Sequence, residues 1–345
     1  MTLQASSSSV KATTQNKGGL ASISLSAGLM AAVLAYPLLL SSYQMDVARD
    51  ALIFALLALS LDFLWGKAGV LSFGQAAFFG MGAYAVAIVG PMVPNDNGAL
   101  AGMVTGIGLA VLVSGIVGYF LIYGGVRGAY LTIVTLALTL IARNVATSWA
   151  SVTGGEAGLI GAPPPGLSIG GWSVTASDSV SLYLVVAIVL SVTLTALWAA
   201  SRGRLGRVLT AIQDDEAKAR ALGYDTSGYL LAVFVLSSGL AAIAGGLYAS
   251  AAGYVAPDLV GLLLSTQAIV HVAFGGRGTL IGPVLATVLV IHVQQEVSSF
   301  SYALWPLLLG AFFIAMVFLF PKGLLPLISD LVHRLVPRRD RGGTA

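Results

Sequence analysis

Apolar runs about twenty residues long recur along almost the whole chain, and a run of that length crosses a bilayer as a helix. Ten can be placed, at about 22–41, 47–65, 68–91, 100–123, 128–149, 180–200, 228–251, 259–275, 278–297 and 302–320. Only 9% of the 345 residues are charged and 57% are hydrophobic, whereas a soluble domain carries roughly 25% charge. The expected fold class is an all-α polytopic membrane protein. Two of the runs are crowded by glycine: Gly66, Gly69, Gly74, Gly80 and Gly82 in one, and Gly275, Gly276, Gly278 and Gly282 with Pro283 in the other. Broken or re-entrant backbone is expected there, and it survives at membrane depth only where protein buries it or it lines a wet cavity.

The basic residues give the sidedness. Short cytoplasmic loops are enriched in Lys and Arg. With the amino terminus inside, ten spans place fifteen of the 17 Lys and Arg on the cytoplasmic side, leaving Arg49 outside and Arg143 within a span. Asp46, Asp50, Asp96, Glu156, Asp178 and Asp258 then fall in outer loops, and both termini are cytoplasmic. The expected organisation is a disordered tail over 1–20, a membrane domain over 21–326 and a basic tail over 327–345. The first apolar run is too long for a cleaved signal core of about 7 to 15 residues. The outer loop 151–179 is rich in Gly and Pro, excludes a regular helix and is expected to pack over an external mouth.

One strongly polar stretch interrupts this pattern, RGRLGRVLTAIQDDEAKARALGYD from Arg202 to Asp225, within a cytoplasmic loop over 201–227. Leu205, Val208, Leu209, Ile212, Ala219 and Leu222 recur at roughly the helical period, so a single amphipathic helix with one packed stripe is expected. Asp214 precedes Lys218, and Glu216 precedes Arg220, by the four residues that favour helical ion pairs. Gly223 stands where a left-handed C-cap belongs.

Several chemistries are excluded. The chain has no cysteine, so it has no disulfide or thiolate site. No P-loop or H-E-x-x-H occurs, and His271, His292 and His333 are too scattered for a zinc site. Basic clusters without interleaved aromatics give no support for nucleic-acid binding. Polar groups inside spans remain to be explained. Ser72, Gln75 and Tyr84 stand in LSFGQAAFFGMGAY. Thr132, Thr135 and Thr139 sit on one helix, where such hydroxyls either line a path or bond back to their own helix. Gln267 lies at helical spacing from His271, which reads as a core histidine. Asp62 is expected to pair with a cation or reach the interface. Glu296 reads as a solvated helix end.

From Asp50 to Pro326 the chain resembles a known family. LDFLWGKAGVLSFGQAAFFGMGAY, RGAYLTIVTLAL, TGGEAGL, GRVLTAIQDDEAKARALG and FGGRGTLIGPVLA look like successive blocks of the permease subunits of bacterial branched-chain amino acid ABC importers. The resemblance implies an inner-membrane translocation subunit, itself non-catalytic and binding no cofactor. Its implied partners are a second related permease forming a heterodimer, an external solute-binding protein, surrounding lipid and two ATPase subunits that hold ATP and magnesium. It also implies that the polar stretch couples to the ATPase. The coupling residues are then Arg207, Asp214, Asp215, Glu216, Ala217, Arg220 and Gly223, and the translocation path is expected among Ser72, Gln75, Tyr84, Thr132, Thr135, Thr139 and Gln267. Glu216, Ala217 and Gly223 match the EAA-loop pattern, but its downstream I-x-L-P is missing, so further contacts do not carry over. Related permeases also serve urea and short amides. Outside the family, a gradient-driven secondary transporter would draw on Asp62, Glu296 and His271, and an enzyme or scaffold would need no coupling helix.

Overall fold

The structure, a computed structural model, describes residues 42–94, 96–169, 172–300 and 310–311. The expected first span and both tails lie outside these residues, as does the expected last span apart from its two described positions. Five of the described helices are long and apolar enough to cross a membrane.

The centre is α1, Ser42–Asp62. From Ala51 to Leu64 almost every side chain is buried, polar or not; a helix apolar all round belongs inside a bundle. It runs into a π-helical turn, Phe63–Lys67, and non-helical backbone continues to Gly74. Then come α2 (Gln75–Val89), α3 (Gly98–Tyr123) and α4 (Ala129–Ser148). A single turn, α5 (Ala150–Thr153), leads into the Gly- and Pro-rich loop, and α6 (Ser179–Arg202) follows it. The polar stretch holds α7 (Arg204–Asp214) and α8 (Glu216–Ala221). The remaining described helices are α9 (Thr226–Ala252), α10 (Leu262–Gly275) and α11 (Ile281–Phe300).

Packing is densest where α9 crosses α2 and α3, while α1 packs on α6, α9, α10 and α11. Apolar side chains gain little by leaving lipid for protein, so small residues that let backbones approach drive such crossings. At the α2–α9 crossing a Cβ on Gly82 would collide with the carbonyl of Ala242, and one on Gly245 with that of Phe79. Phe54, Phe79 and Tyr248 pack ring to ring beside this contact.

Several expectations need correction. The polar stretch is two helices, because Asp215 adopts extended backbone (φ −162°, ψ 101°) and its carboxylate caps the second by accepting from the Lys218 N–H at 3.0 Å. Lys218 therefore pairs with Asp215 at 3.1 Å rather than with Asp214, while the expected Glu216–Arg220 pair forms at 2.9 Å. Leu222, expected on the packed stripe, is 77% exposed. The all-helical expectation also misses short strands. Leu159–Ile160 (β1) pairs antiparallel with Tyr254–Val255 (β4), and Gly166–Ile169 (β2) pairs with Trp172–Thr175 (β3). Asn97 ties this hairpin to the start of α3, its side chain exchanging hydrogen bonds with both backbone groups of Ser168. The eighth expected span is a helix of only 14 residues, α10, preceded by the 3-10 turn Pro257–Val260. Among the described residues Asp62 pairs with no cation; it is fully buried and accepts from backbone N–H groups instead.

Candidate functional site

The polar stretch is held to the bundle through one carboxylate. Glu216 opens α8. Arg127, in the connection between α3 and α4, donates from Nε to Glu216 Oε2 at 2.8 Å and from Nη2 to Oε1 at 3.0 Å, a two-pronged pair of the strong kind. Arg220 and Thr226 also donate to Oε1, at 2.9 and 3.2 Å. The hydrogen bonds from Arg127 are the largest influence holding the Glu216 carboxyl below its ordinary value of 4.5, with smaller help from Thr226 and Arg220. Arg127 is itself fixed by donating from Nη1 to the carbonyls of Ile122 and Val126 at 2.7 and 3.1 Å. The α3–α4 connection, α8 and the first turn of α9 thus share one ionic knot.

Beyond the knot the chain is presented outward. Val208, Leu209, Ile212 and Ala219 are buried beneath α7 and α8, whereas Arg207, Asp214, Ala217, Lys218, Arg220 and Gly223 are exposed. Helix α8 ends in a Schellman arrangement, with the Gly223 N–H donating to Arg220 O at 2.9 Å and the Tyr224 N–H to Ala219 O at 3.3 Å. Gly223 holds φ +88°, a conformation glycine adopts without a Cβ penalty. The turn displays Leu222 and Tyr224 to the surroundings, 77% and 38% exposed.

The glycine-rich breaks are held differently, by buried side chains that satisfy irregular backbone. Asp62 accepts the N–H groups of Gly278 at 2.6 Å and Leu280 at 2.9 Å, one to each carboxylate oxygen. Gly276, Gly278 and Leu280 all have positive φ, and Gly66 lies so close to the Gly278 backbone that a Cβ there would collide with it. Arg277 lies over the Trp65 ring, its guanidinium carbon 5.2 Å from the ring centroid.

In the second break, most of the residues singled out from the sequence meet. Thr132 donates to Leu71 O at 3.0 Å, Thr139 donates to Phe73 O at 2.7 Å, and Thr135 accepts from the Phe73 N–H at 3.1 Å. Ser265 of α10 also donates to Phe73 O and accepts from the Ala76 N–H at 3.2 Å. Ser72 accepts from the Gly74 N–H at 3.1 Å. Gln75 donates to Ser237 at 2.9 Å and accepts from Ser60 at 3.3 Å, joining α1, α2 and α9. The hydroxyls of α4 therefore bond both to their own helix and to the break beside it.

Tyr84 and Gln267 lie apart from this cluster, each at a cavity. Tyr84 lines an apolar space of about 440 Å³ bounded by α2, α3, α4 and Val260. Gln267 lines one of about 240 Å³ with His271, Asp50, Gln294 and Gln295. His271 is buried there, 6% exposed. Arg49, the outer cation of the sequence pattern, is paired with Asp46 and Asp50, both at 2.9 Å. Sequence reasoning missed the roles of Arg127, Thr226, Ser60, Ser237 and Ser265. For Arg127 a signal existed: it is the one basic residue of the tight connection GGVRG.

Residues 43–320, which contain the ionic knot, both breaks and both cavities, match the family described as the branched-chain amino acid transport system permease component. The chain belongs to this family. Among its relatives, the high-affinity branched-chain amino acid transport system permease protein LivM of Salmonella typhimurium is 31% identical over 321 residues, 87% of this chain and 74% of that protein. The permease protein LivH of the same branched-chain system and organism is 24% identical over 260 residues, 71% of this chain and 82% of LivH. The autoinducer 2 import system permease protein LsrC of Salmonella paratyphi B is 29% identical over 213 residues, 57% of this chain and 56% of LsrC. No solved structure matches the chain. As a permease-family member with five described helices able to cross a membrane, the chain is a multi-pass membrane protein.

Proposed function

We propose that this chain is the translocation subunit of an ATP-driven ABC importer in a bacterial inner membrane, passing branched-chain or other hydrophobic amino acids delivered by an external binding protein. In this reading ten spans leave both termini and the polar stretch in the cytoplasm. A second, related permease completes the membrane unit, and two separate ATPase subunits supply the driving force. The observation that carries the reading is the ionic knot at Glu216. It joins an outward-facing pair of short helices to the α3–α4 connection and to the start of α9. A push on Leu222 and Tyr224 by a cytoplasmic partner then reaches two parts of the bundle as a rigid-body movement.

Two observations weigh against other readings. The lining of the larger cavity is almost wholly aliphatic and aromatic, which suits an apolar side chain better than urea or a short amide. Both oxygens of Asp62 are engaged by backbone N–H groups, so this buried carboxylate is not available to a proton relay.

The test is purification under mild detergent from native membranes, followed by identification of bound chains and measurement of ATP-dependent leucine uptake. Two ATPase chains and a second permease should accompany the chain. Glu216→Lys, which places an ammonium between Arg127 and Arg220, should retain those partners while lowering uptake by about tenfold or more and leaving ATP hydrolysis uncoupled from it. A chain that emerges alone and moves solute without ATP, or normal uptake by the variant, would overturn the reading.

A further inference from the structure

At its end α6 joins an exposed apolar stripe to a basic cluster. Ile188, Val192, Thr195, Ala199 and Arg202 fall on one face at the helical period, and all five are exposed, Ile188 and Val192 at 53% and 63%. Leu182, Val186 and Leu190, on the other side, are buried. Thr195 keeps its hydroxyl within the helix, donating to Ser191 O at 2.8 Å, so the stripe asks for no polar partner before Arg202. There the guanidinium carbon lies 3.7 Å from the Trp198 ring centroid, well within cation–π range. Tryptophan and a long cationic side chain at the end of a span belong at headgroup level. Gly203 then turns the chain, and α7 opens with Arg204 and Arg207, both exposed and three residues apart on one helix face. From Trp198 to Gln213 the sequence holds three arginines and no acidic residue. Among the described residues neither Arg204 nor Arg207 has an ion-pair partner, and no side chain caps the first turn of α7.

We propose that this junction is the binding site of an anionic phospholipid, its phosphate between Arg202 and Arg204 and an acyl chain laid along the stripe. The dimensions agree. Eleven residues separate Ile188 from Ala199, about 16 Å of helix at the α-helical rise, close to one leaflet of a hydrocarbon core about 30 Å thick. The charge agrees as well, because the arginines and the uncapped start of α7 all favour an anion, and basic residues beside a span draw anionic headgroups. A free anion would leave the stripe uncovered, and a soluble protein cannot reach Ile188 and Val192 at membrane depth. A zwitterionic lipid brings an ammonium of its own to the cluster and forfeits part of the match. Bound there, the lipid holds the start of α7 at the membrane surface, while Glu216 holds α8 to the bundle. The assignment goes beyond the importer reading and does not depend on which solute is carried.

The test uses the complex as purified in mild detergent and stripped of endogenous lipid. Dioleoyl phosphatidylglycerol is the probe, with dioleoyl phosphatidylcholine and inorganic phosphate as controls, and the readouts are lipid retained in native mass spectrometry and the melting temperature. Phosphatidylglycerol should be retained and should raise the melting temperature more than either control. Arg202→Gln with Arg204→Gln should weaken its retention by about thirtyfold, at roughly fivefold for each charge near a membrane surface. Arg202→Lys with Arg204→Lys keeps both charges and should retain most of the binding. Ile188→Ser with Val192→Ser, which interrupts the stripe, should weaken retention of the dioleoyl lipid more than that of a short-chain phosphatidylglycerol. Equal retention of phosphatidylcholine, or an equal rise in melting temperature with inorganic phosphate alone, would overturn the site. A double Gln variant that still retains phosphatidylglycerol and instead loses an accompanying protein chain would also overturn it and make the junction a protein contact.

Discussion

The ionic knot at Glu216 and the glycine-rich breaks both fix irregular chain, but with opposite chemistry. At the knot two guanidinium groups and a hydroxyl converge on a carboxylate whose side chain is 26% exposed, and every covalent connection there is a short loop. In the breaks, a fully buried carboxylate and a row of neutral hydroxyls accept from or donate to backbone. The difference follows from solvent. Near water an ion pair can part and reform at small cost. Away from water an unmatched N–H or carbonyl is expensive, so side chains are committed to the backbone and the segment becomes rigid.

The largest effect should come from breaking the buried side of this comparison. Asp62→Ala leaves the N–H groups of Gly278 and Leu280 without their acceptor. At about 1–3 kcal/mol for each buried unsatisfied group, the loss is several kcal/mol, and the protein should fail to accumulate or should melt far earlier in detergent. Asp62→Asn keeps an acceptor for one of the two N–H groups and should fall between. A melting temperature unchanged by Asp62→Ala would show that the 276–280 loop is held by Arg277 and Trp65 instead.

A finer test concerns Phe73, whose carbonyl accepts from both Thr139 and Ser265. Thr139→Val alone should cost about 1 kcal/mol, because Ser265 still satisfies the oxygen. Thr139→Val with Ser265→Ala should cost more than the two single changes added together, since only the pair leaves the carbonyl bare. Strict additivity in thermal melts would mean that the two hydroxyls act independently.

The two regions also differ in how far they could be read from sequence. Gly66, Gly69 and Gly74 mark one break and Gly275, Gly276 and Gly278 the other, so interrupted backbone was legible from composition alone. What fills the breaks was not, because Phe73 meets Thr135 across 62 residues and Asp62 meets Gly278 across 216. The same separation hides the knot, where Arg127 and Glu216 are 89 residues apart. The interruption at Asp215 is a different case. Apolar period continues through it, and only the capping habit of aspartate ahead of Glu-Ala-Lys announces a second helix start. The hairpin β2–β3 carried a local signal as well, Gly170-Gly171 between two short runs, which the apolar count of the larger chain obscures. Apolar run length thus reported the five described spans, and glycine the breaks; partners brought together by the topology lie beyond either.

The smallest effect sharpens the exposed side of the comparison through pH. Glu216 has its carboxyl held below 4.5, chiefly by hydrogen bonds from Arg127. For a carboxyl whose folded value is depressed, the unfolded state takes up protons first as pH falls, so the stabilisation is complete above 4.5 and is lost below it as pH passes through the depressed value. The Leu222, Gly223 and Tyr224 amides, bonded to Lys218, Arg220 and Ala219 carbonyls, report on the end of α8. Their protection from hydrogen exchange, relative to the intrinsic rate, should be level above 4.5 and decline below it. In Arg127→Gln the decline should become shallower, because the carboxyl then titrates nearer its ordinary value and has less stabilisation to lose. Protection around Gly278 and Leu280 should persist to a lower pH if rigidity there comes from burial as well as from charge; a joint loss in step with α8 would show that the two regions open as one unit and that the contrast between them is false.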